Sequence, residues 1–125
     1  MSRADSTDSS SPVFVYGTLR RGERANALLA TSRFAGEGWT PPSYKLVHMG
    51  EYPALLAGGN TAVLGEVYQV DAATLAVLDD YEDHPDFYRR QWLALADGTE
   101  VQAYVLPVAY ARGKPEIPSG DWCKR

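Results

Sequence analysis

The chain has 125 residues, of which 45% are hydrophobic and 22% charged, and its formal net charge is -4. A chain of this length suits one compact domain with one hydrophobic core. Its acidic balance, with basic residues clustered in pairs such as Arg20-Arg21 and Arg89-Arg90 rather than in longer stripes, argues against a nucleic-acid partner. The sequence has neither an apolar run long enough for a membrane span nor an apolar N-terminal signal, so we expect a cytoplasmic protein without a membrane partner.

The residues that usually hold metals are scarce. Cys123 is the only cysteine, which excludes an intramolecular disulfide and a thiolate zinc site. The two histidines, His48 and His84, lie far apart and match no metal-binding spacing. His84 follows Glu82 by two residues, but without partner ligands we interpret it as a solvated loop histidine. We expect no metal or other cofactor, no Ser-His-Asp triad, and a monomer by default.

The predicted elements begin after a polar tail. Residues 1–11 offer nothing to bury and are expected to be disordered, and residues 12–125 to form the single domain. The apolar run Val13-Phe14-Val15-Tyr16, stopped by Gly17, predicts a buried strand. Good helix formers predict a short helix over residues 23–30. Further strand-length runs, separated by Gly, Pro or Asp-Gly, lie at 34–39, 44–48, 64–70, 88–95 and 101–106.

Two signals complete the predicted fold. Asp97-Gly98 predicts a hairpin between the last two strands. Asp71 is a suitable N-cap for a helix over about residues 72–82, which Pro85 prevents from continuing. Six strands and two short helices, without strand-helix alternation, predict an α+β fold: a small, mostly antiparallel β-barrel with flanking short helices.

The first candidate site is Tyr16-Gly17-Thr18-Leu19-Arg20, where a buried strand runs into a turn. Such turns leave successive backbone N–H groups unpaired, and with Arg20 nearby they could form a concavity for a carboxylate. The alternative is that Gly17 only enables the turn.

The second candidate site is Glu82. Leu75, Leu78 and Glu82 stand at helical spacings i, i+3 and i+7, so the carboxylate projects from the apolar face. Apolar surroundings raise the pKa of a carboxyl group and give it general-base character near neutral pH. The alternative is that the helix frays after Leu78 and that Glu82 points to water beside the neighbouring aspartates.

Together the two sites resemble the γ-glutamyl cyclotransferase superfamily, with its AIG2-like and γ-glutamylamine cyclotransferase branches. The resemblance spans most of the chain. It rests on Val13 to Arg20, Tyr52-Pro53-Ala54-Leu55, Gly65-Glu66-Val67-Tyr68, Leu78-Asp79-Asp80-Tyr81-Glu82 and Tyr88-Arg89-Arg90.

The resemblance implies a cofactor-free enzyme that releases 5-oxoproline from a small γ-glutamyl substrate. It implies that Glu82 is catalytic and that the substrate is bound by Tyr16, Gly17, Thr18, Leu19, Arg20 and Tyr88. The sequence departs from the family where Asp83 stands in a position that is commonly glycine, and residues 117–122 are similar to a tail of the bacterial YtfP-like branch.

Two other functions fit the same residues. Asp83 and the YtfP-like tail fit a non-catalytic module that binds a small γ-glutamyl or carboxylate ligand. The chain could equally be a tailoring enzyme that removes a protective γ-glutamyl group from a biosynthetic intermediate.

Overall fold

The computed structural model describes residues 10–125. Seven strands form one sheet, namely β1 Ser11–Val15, β2 Arg33–Trp39, β3 Tyr44–His48, β4 Pro53–Ala57, β5 Leu64–Val70, β6 Arg89–Ala94 and β7 Glu100–Val105. The helix α1 spans Ala72–Tyr81, and 3-10 turns cover Asn26–Leu29, Val108–Ala111 and Trp122–Lys124. Residues 1–9 of the predicted tail lie outside the described residues. Ser11, which was predicted to belong to the tail, is the first residue of β1.

The strands follow the order β2-β5-β1-β7-β4-β3, and β6 pairs with β7 as well. Four pairings are antiparallel: β1 with β5, β2 with β5, β3 with β4, and β6 with β7. β7 runs parallel to both β1 and β4. The predicted α+β class and mostly antiparallel sheet are confirmed. The word barrel describes the sheet only loosely, because within residues 10–125 the end strands β2 and β3 share no ladder and the sheet stays open.

All six predicted strands are present, and the structure adds β4, which the sequence analysis missed. β4 begins with Pro53, and proline is accepted at the first position of a strand because no ladder hydrogen bond needs its missing N–H there. The predicted hairpin turn is confirmed. Gly98 N donates to Leu95 O at 2.9 Å, and Thr99 N donates to the Asp97 carboxylate at 2.9 Å.

The helix prediction for residues 72–82 is confirmed, since Thr74 N donates to the Asp71 carboxylate at 2.7 Å and α1 ends at Tyr81. The short helix predicted over residues 23–30 is present only as the 3-10 helix Asn26–Leu29, which is shorter than predicted. Contacts with the loop after β1 compete with helix formation. The Asn26 side chain donates to Leu19 O at 2.8 Å, and Ala25 N donates to Thr18 O at 2.9 Å.

Both faces of the sheet are covered, so strand β1 is buried from both sides. Val13 and Val15 point into one core cluster, together with Leu78 of α1. Phe14 and Tyr16 point into the other cluster, which also contains Trp122 from the C-terminal segment. Among residues 10–125, no helix is long and apolar enough to cross a membrane.

Truncation of Leu78 tests how α1 is held. Leu78 is fully buried, so Leu78→Ala should lower the free energy of unfolding by about 2–5 kcal/mol through lost burial and a residual cavity. Val77→Ala is the matched control, because Val77 is 47% exposed and its truncation should change stability by less than about 0.5 kcal/mol. Urea unfolding measures both variants. Equal losses would contradict the packing described here.

Candidate active site

A cavity of about 250 Å³ opens between the loop after β1, the C-terminal end of α1 and the start of β4. Its volume suits a small molecule rather than a polymer. The lining brings together six of the seven residues predicted for the site, including Glu82 and the loop from Tyr16 to Leu19. The residues that line it are Phe14, Val15, Tyr16, Gly17, Thr18, Leu19, Arg24, Tyr52, Pro53, Tyr81, Glu82, Asp83, Phe87, Tyr88 and Tyr104.

The loop after β1 passes unusually close to Pro53. A Cβ atom on Gly17 would lie 2.5 and 2.6 Å from two carbons of the rigid proline ring, so glycine is required for this close approach. No acceptor within residues 10–125 pairs with the N–H groups of Gly17, Thr18 and Leu19. Three successive donors therefore belong to residues that line the cavity, as an anion-binding loop requires.

Glu82 follows the last residue of α1, and its N–H donates to Leu78 O at 2.9 Å. Its side chain is partly buried and lines the cavity. Burial, together with the smaller effect of the negative charge of Asp83, raises the pKa of the Glu82 carboxyl group to about 7. No hydrogen bond from residues 10–125 opposes this rise. A carboxyl group with a pKa near neutrality can both accept and return a proton.

A hydrogen bond connects the two halves of the cavity. The hydroxyl groups of Thr18, in the loop, and Tyr81, at the end of α1, lie 2.9 Å apart. Asp79, one turn before Glu82, holds α1 to the sheet through Arg90 of β6 at 2.8 and 3.0 Å and the Tyr104 hydroxyl at 2.7 Å. These contacts hold the end of α1, which carries Glu82, against the sheet and the loop after β1.

Tyr16 and Tyr88 line the cavity with their rings, but their hydroxyl groups bond to the backbone. The Tyr16 hydroxyl donates to Tyr104 O at 2.6 Å and accepts from Leu55 N at 3.2 Å. The Tyr88 hydroxyl donates to Pro53 O at 2.7 Å. Burial raises the pKa of both phenols, so both keep their protons. These residues form walls of the cavity rather than hydrogen-bond donors to a ligand.

Arg20 does not line the cavity. Its guanidinium group is buried between Glu66, at 3.3 Å, and Asp121, at 2.8 Å. The prediction that Arg20 contacts an anionic ligand is therefore wrong, because its guanidinium group forms ion pairs with these two carboxylates and does not reach the cavity. Arg24 is the cationic side chain that lines the cavity, and it donates to Glu51 O at 2.9 Å.

The structure also shows what His84, two residues after Glu82, contacts. His84 Nδ1 accepts a hydrogen bond from Arg90 N at 3.0 Å, so this nitrogen serves the backbone rather than a ligand. Among residues 10–125, no group of three His, Cys, Asp or Glu side chains could hold a metal ion.

Sequence comparison connects this geometry to known proteins. The profile of the family described as gamma-glutamyl cyclotransferase, AIG2-like, matches residues 13–124. The chain belongs to this family. A Vibrio cholerae relative is 45% identical over 113 residues, which is 90% of this chain and 96% of the relative. The mouse gamma-glutamylaminecyclotransferase is 37% identical over 115 residues, covering 78% of this chain and 77% of its own.

A solved structure agrees in fold. The crystal structure of an AIG2-like protein from Mus musculus superposes with a TM-score of 0.79 at 33% identity. The alignment covers 90% of this chain and 88% of the mouse chain. The predicted superfamily resemblance is thus confirmed across almost the whole domain.

The backbone conformation explains why aspartate can stand at position 83, where the family resemblance leads us to expect glycine. Asp83 has a φ of 54°, in the left-handed region where glycine is favoured after a helix end. Aspartate and asparagine tolerate this conformation better than most residues, so the helix can end here without glycine. Asp83 therefore keeps the local geometry and adds a negative charge to the cavity lining.

The sequence analysis missed several lining residues, namely Arg24, Tyr81, Phe87 and Tyr104. Tyr81 and Phe87 lie within five positions of Glu82, so their closeness in sequence to that residue was the one available signal. Arg24 and Tyr104 carried no local signal, since only chain folding brings them to the cavity.

The titration of Glu82 can be measured directly. A pH series of NMR spectra, with the glutamate carboxyl carbons labelled, should show Glu82 titrating with a midpoint of about 7. Asp83→Asn should lower that midpoint, because a negative charge that opposes ionisation of Glu82 is removed. Asparagine preserves the left-handed backbone, so the helix end should not change. A Glu82 midpoint near that of free glutamate would contradict the buried placement.

Proposed function

We propose that the chain is a γ-glutamyl cyclotransferase that releases 5-oxoproline from a small γ-glutamyl amide. The observation that carries the proposal is that one cavity contains both a carboxyl group with a pKa of about 7 and three unpaired loop amides. A γ-glutamyl group supplies the two matching partners, because its α-carboxylate can accept from the amides and its α-amine can give a proton to Glu82.

The first step is binding in a curled conformation. The N–H groups of Gly17, Thr18 and Leu19 hold the α-carboxylate, and Arg24 adds positive charge to the same cavity. The rings of Tyr16 and Tyr88 limit the space around the glutamyl chain. Since the reacting groups belong to one molecule, the gain comes from selecting the rotamers that place the amine against the γ-carbonyl carbon.

The second step is ring closure. An α-amino group has a pKa of roughly 7.7–8.0, so near neutral pH it readily releases one proton to solvent. The free amine attacks the γ-carbonyl carbon, and the ionised Glu82 accepts a second proton as the new C–N bond forms. The tetrahedral intermediate then expels the original amide nitrogen, which takes the proton back from Glu82. The products are 5-oxoproline and a free amine, which gains its further proton from water.

The domain organisation, oligomeric state and location are proposed separately from the reaction. We propose a single domain over residues 12–125, a monomer and a cytoplasmic location. Support for these comes from the chain length, the net charge of -4 and the single cysteine. The same charge supports the absence of a nucleic-acid partner.

Replacing the proposed base tests the mechanism. Glu82→Gln keeps the shape of the side chain but cannot accept a proton, so kcat for 5-oxoproline release should fall by about 10²-fold or more. Asp80→Asn is the matched control, because Asp80 is exposed at the same helix end and does not line the cavity. Chromatography of released 5-oxoproline measures both. Full activity in Glu82→Gln would remove Glu82 from the mechanism, and ligand binding without any product in the wild type would indicate a binding module.

The pH dependence gives an independent test. The substrate must lose an α-amine proton, with a pKa of roughly 7.7–8.0, and this ionisation alone makes kcat/KM rise with pH. Because Glu82 acts only when ionised, it adds a second rise in kcat/KM at about pH 7, the pKa of its carboxyl group. Asp83→Asn should move this rise to lower pH, because it lowers the same pKa. Initial rates between about pH 5 and 9 measure the profile. A rate independent of pH across this range would exclude a base with the pKa of Glu82.

A further inference from the structure

Asp83 places a second carboxylate in the cavity, directly after the proposed base. Its side chain lines the cavity and forms no hydrogen bond or ion pair with another residue of the described chain. This distinguishes it from Asp79, which is paired with Arg90 at 2.8 Å. The charge of Asp83 is therefore available to a bound molecule.

Aromatic side chains surround this end of the cavity. Tyr81 and Phe87 line the same cavity as Asp83, and the backbone of Phe87 is tied to that of Asp83 because Phe87 N donates to Asp83 O at 2.8 Å. Phe87 packs edge-on against Tyr88 at a centroid distance of 5.2 Å, and Tyr52 packs against Tyr88 at 6.4 Å. Aromatic faces combined with a carboxylate form a favourable environment for an organic cation.

The geometry of the reaction places the leaving group beside Asp83. In the proposed function, on which this inference rests, Glu82 returns its proton to the departing nitrogen, so that nitrogen must lie next to Glu82. In the same proposed reaction the loop amides and Arg24 take the α-carboxylate, so the leaving half extends away from them. Consecutive Cα atoms are only about 3.8 Å apart, so a short chain on the departing nitrogen can reach the Asp83 carboxylate.

We propose that Asp83 is a specificity-determining residue that selects leaving amines with a second positive charge. Its carboxylate pairs with a terminal ammonium group of the leaving half, and Tyr81 and Phe87 contact the intervening methylenes and the cation. The preferred substrate class is therefore γ-glutamylated diamines and other basic amines, ahead of neutral alkylamines or amino acids that present a carboxylate.

Three substrates of matched length test the preference. They are the γ-glutamyl amides of 1,4-diaminobutane, of pentylamine and of 5-aminopentanoate, whose chains end in an ammonium, a methyl and a carboxylate group. In the wild type, kcat/KM for the cationic substrate should exceed that for the neutral one by about tenfold or more. The anionic substrate should be the poorest. Added salt should reduce the ratio between cationic and neutral substrates, because it screens an exposed ion pair.

Asp83→Asn identifies the residue responsible. The variant should bring the ratio between cationic and neutral substrates to about one, whereas Asp80→Asn should keep the wild-type ratio. Rates are compared well above pH 7, where Glu82 is ionised in every variant, so a change in the base does not affect the ratio. The terminal ammonium remains charged there, since alkylammonium groups have a pKa of about 10.4. A ratio unchanged in Asp83→Asn, or a wild type that prefers the anionic substrate, would overturn the proposal.

Calorimetric binding of the same three compounds separates this inference from the proposed function. Cation-selective binding that is lost in Asp83→Asn, without 5-oxoproline release, would support the role of Asp83 and overturn the enzymatic function. Release of 5-oxoproline at equal rates from all three substrates would support the function and overturn the role of Asp83.

Discussion

The candidate site depends on a carboxyl group that is removed from water without a cation to neutralise it. Glu66 and Glu82 differ in this respect. Glu66 is paired with Arg20 at 3.3 Å and accepts from Arg21 N at 2.9 Å and from the Tyr68 hydroxyl at 3.1 Å. No described residue pairs with Glu82 in this way, so burial raises the pKa of its carboxyl group to about 7. The first arrangement holds the fold together, and the second provides a proton acceptor.

The fold maintains this arrangement by fixing every element around the cavity. β7 contacts β1 and β4 at one register pair each, and the Tyr16 hydroxyl bridges β7 and β4. Asp79 and Arg90 hold the end of α1 to the sheet, and Thr18 bonds to Tyr81 across the cavity. Buried hydrogen bonds of this kind resist rearrangement, because breaking one leaves an unsatisfied polar group. The cavity is therefore preorganised for a small ligand.

Asp83 combines two features: its backbone takes the left-handed conformation after α1, and its side chain brings a charge to the cavity lining. A left-handed conformation at the helix end favours glycine, and aspartate meets the same need with a charged side chain in the cavity lining. The charge raises the pKa of Glu82, and in the role we propose for Asp83 it also pairs with the departing amine. Within a family that shares the loop and the glutamate, such a position can change which substrates are accepted without moving the base.

Much of this protein follows from local sequence patterns. Hydrophobic periodicity predicted six strands and α1. The helical spacing of Leu75, Leu78 and Glu82 predicted that the carboxylate projects from the apolar face. Both predictions were possible because these features depend on neighbouring residues alone. Tertiary structure decided the rest. It turned Arg20 towards Glu66 and Asp121, 46 and 101 residues further along the chain, and brought Arg24 to the cavity instead. Long-range pairing of charges and strands depends on the packed chain, so no local pattern could have assigned those contacts or shown that the sheet stays open.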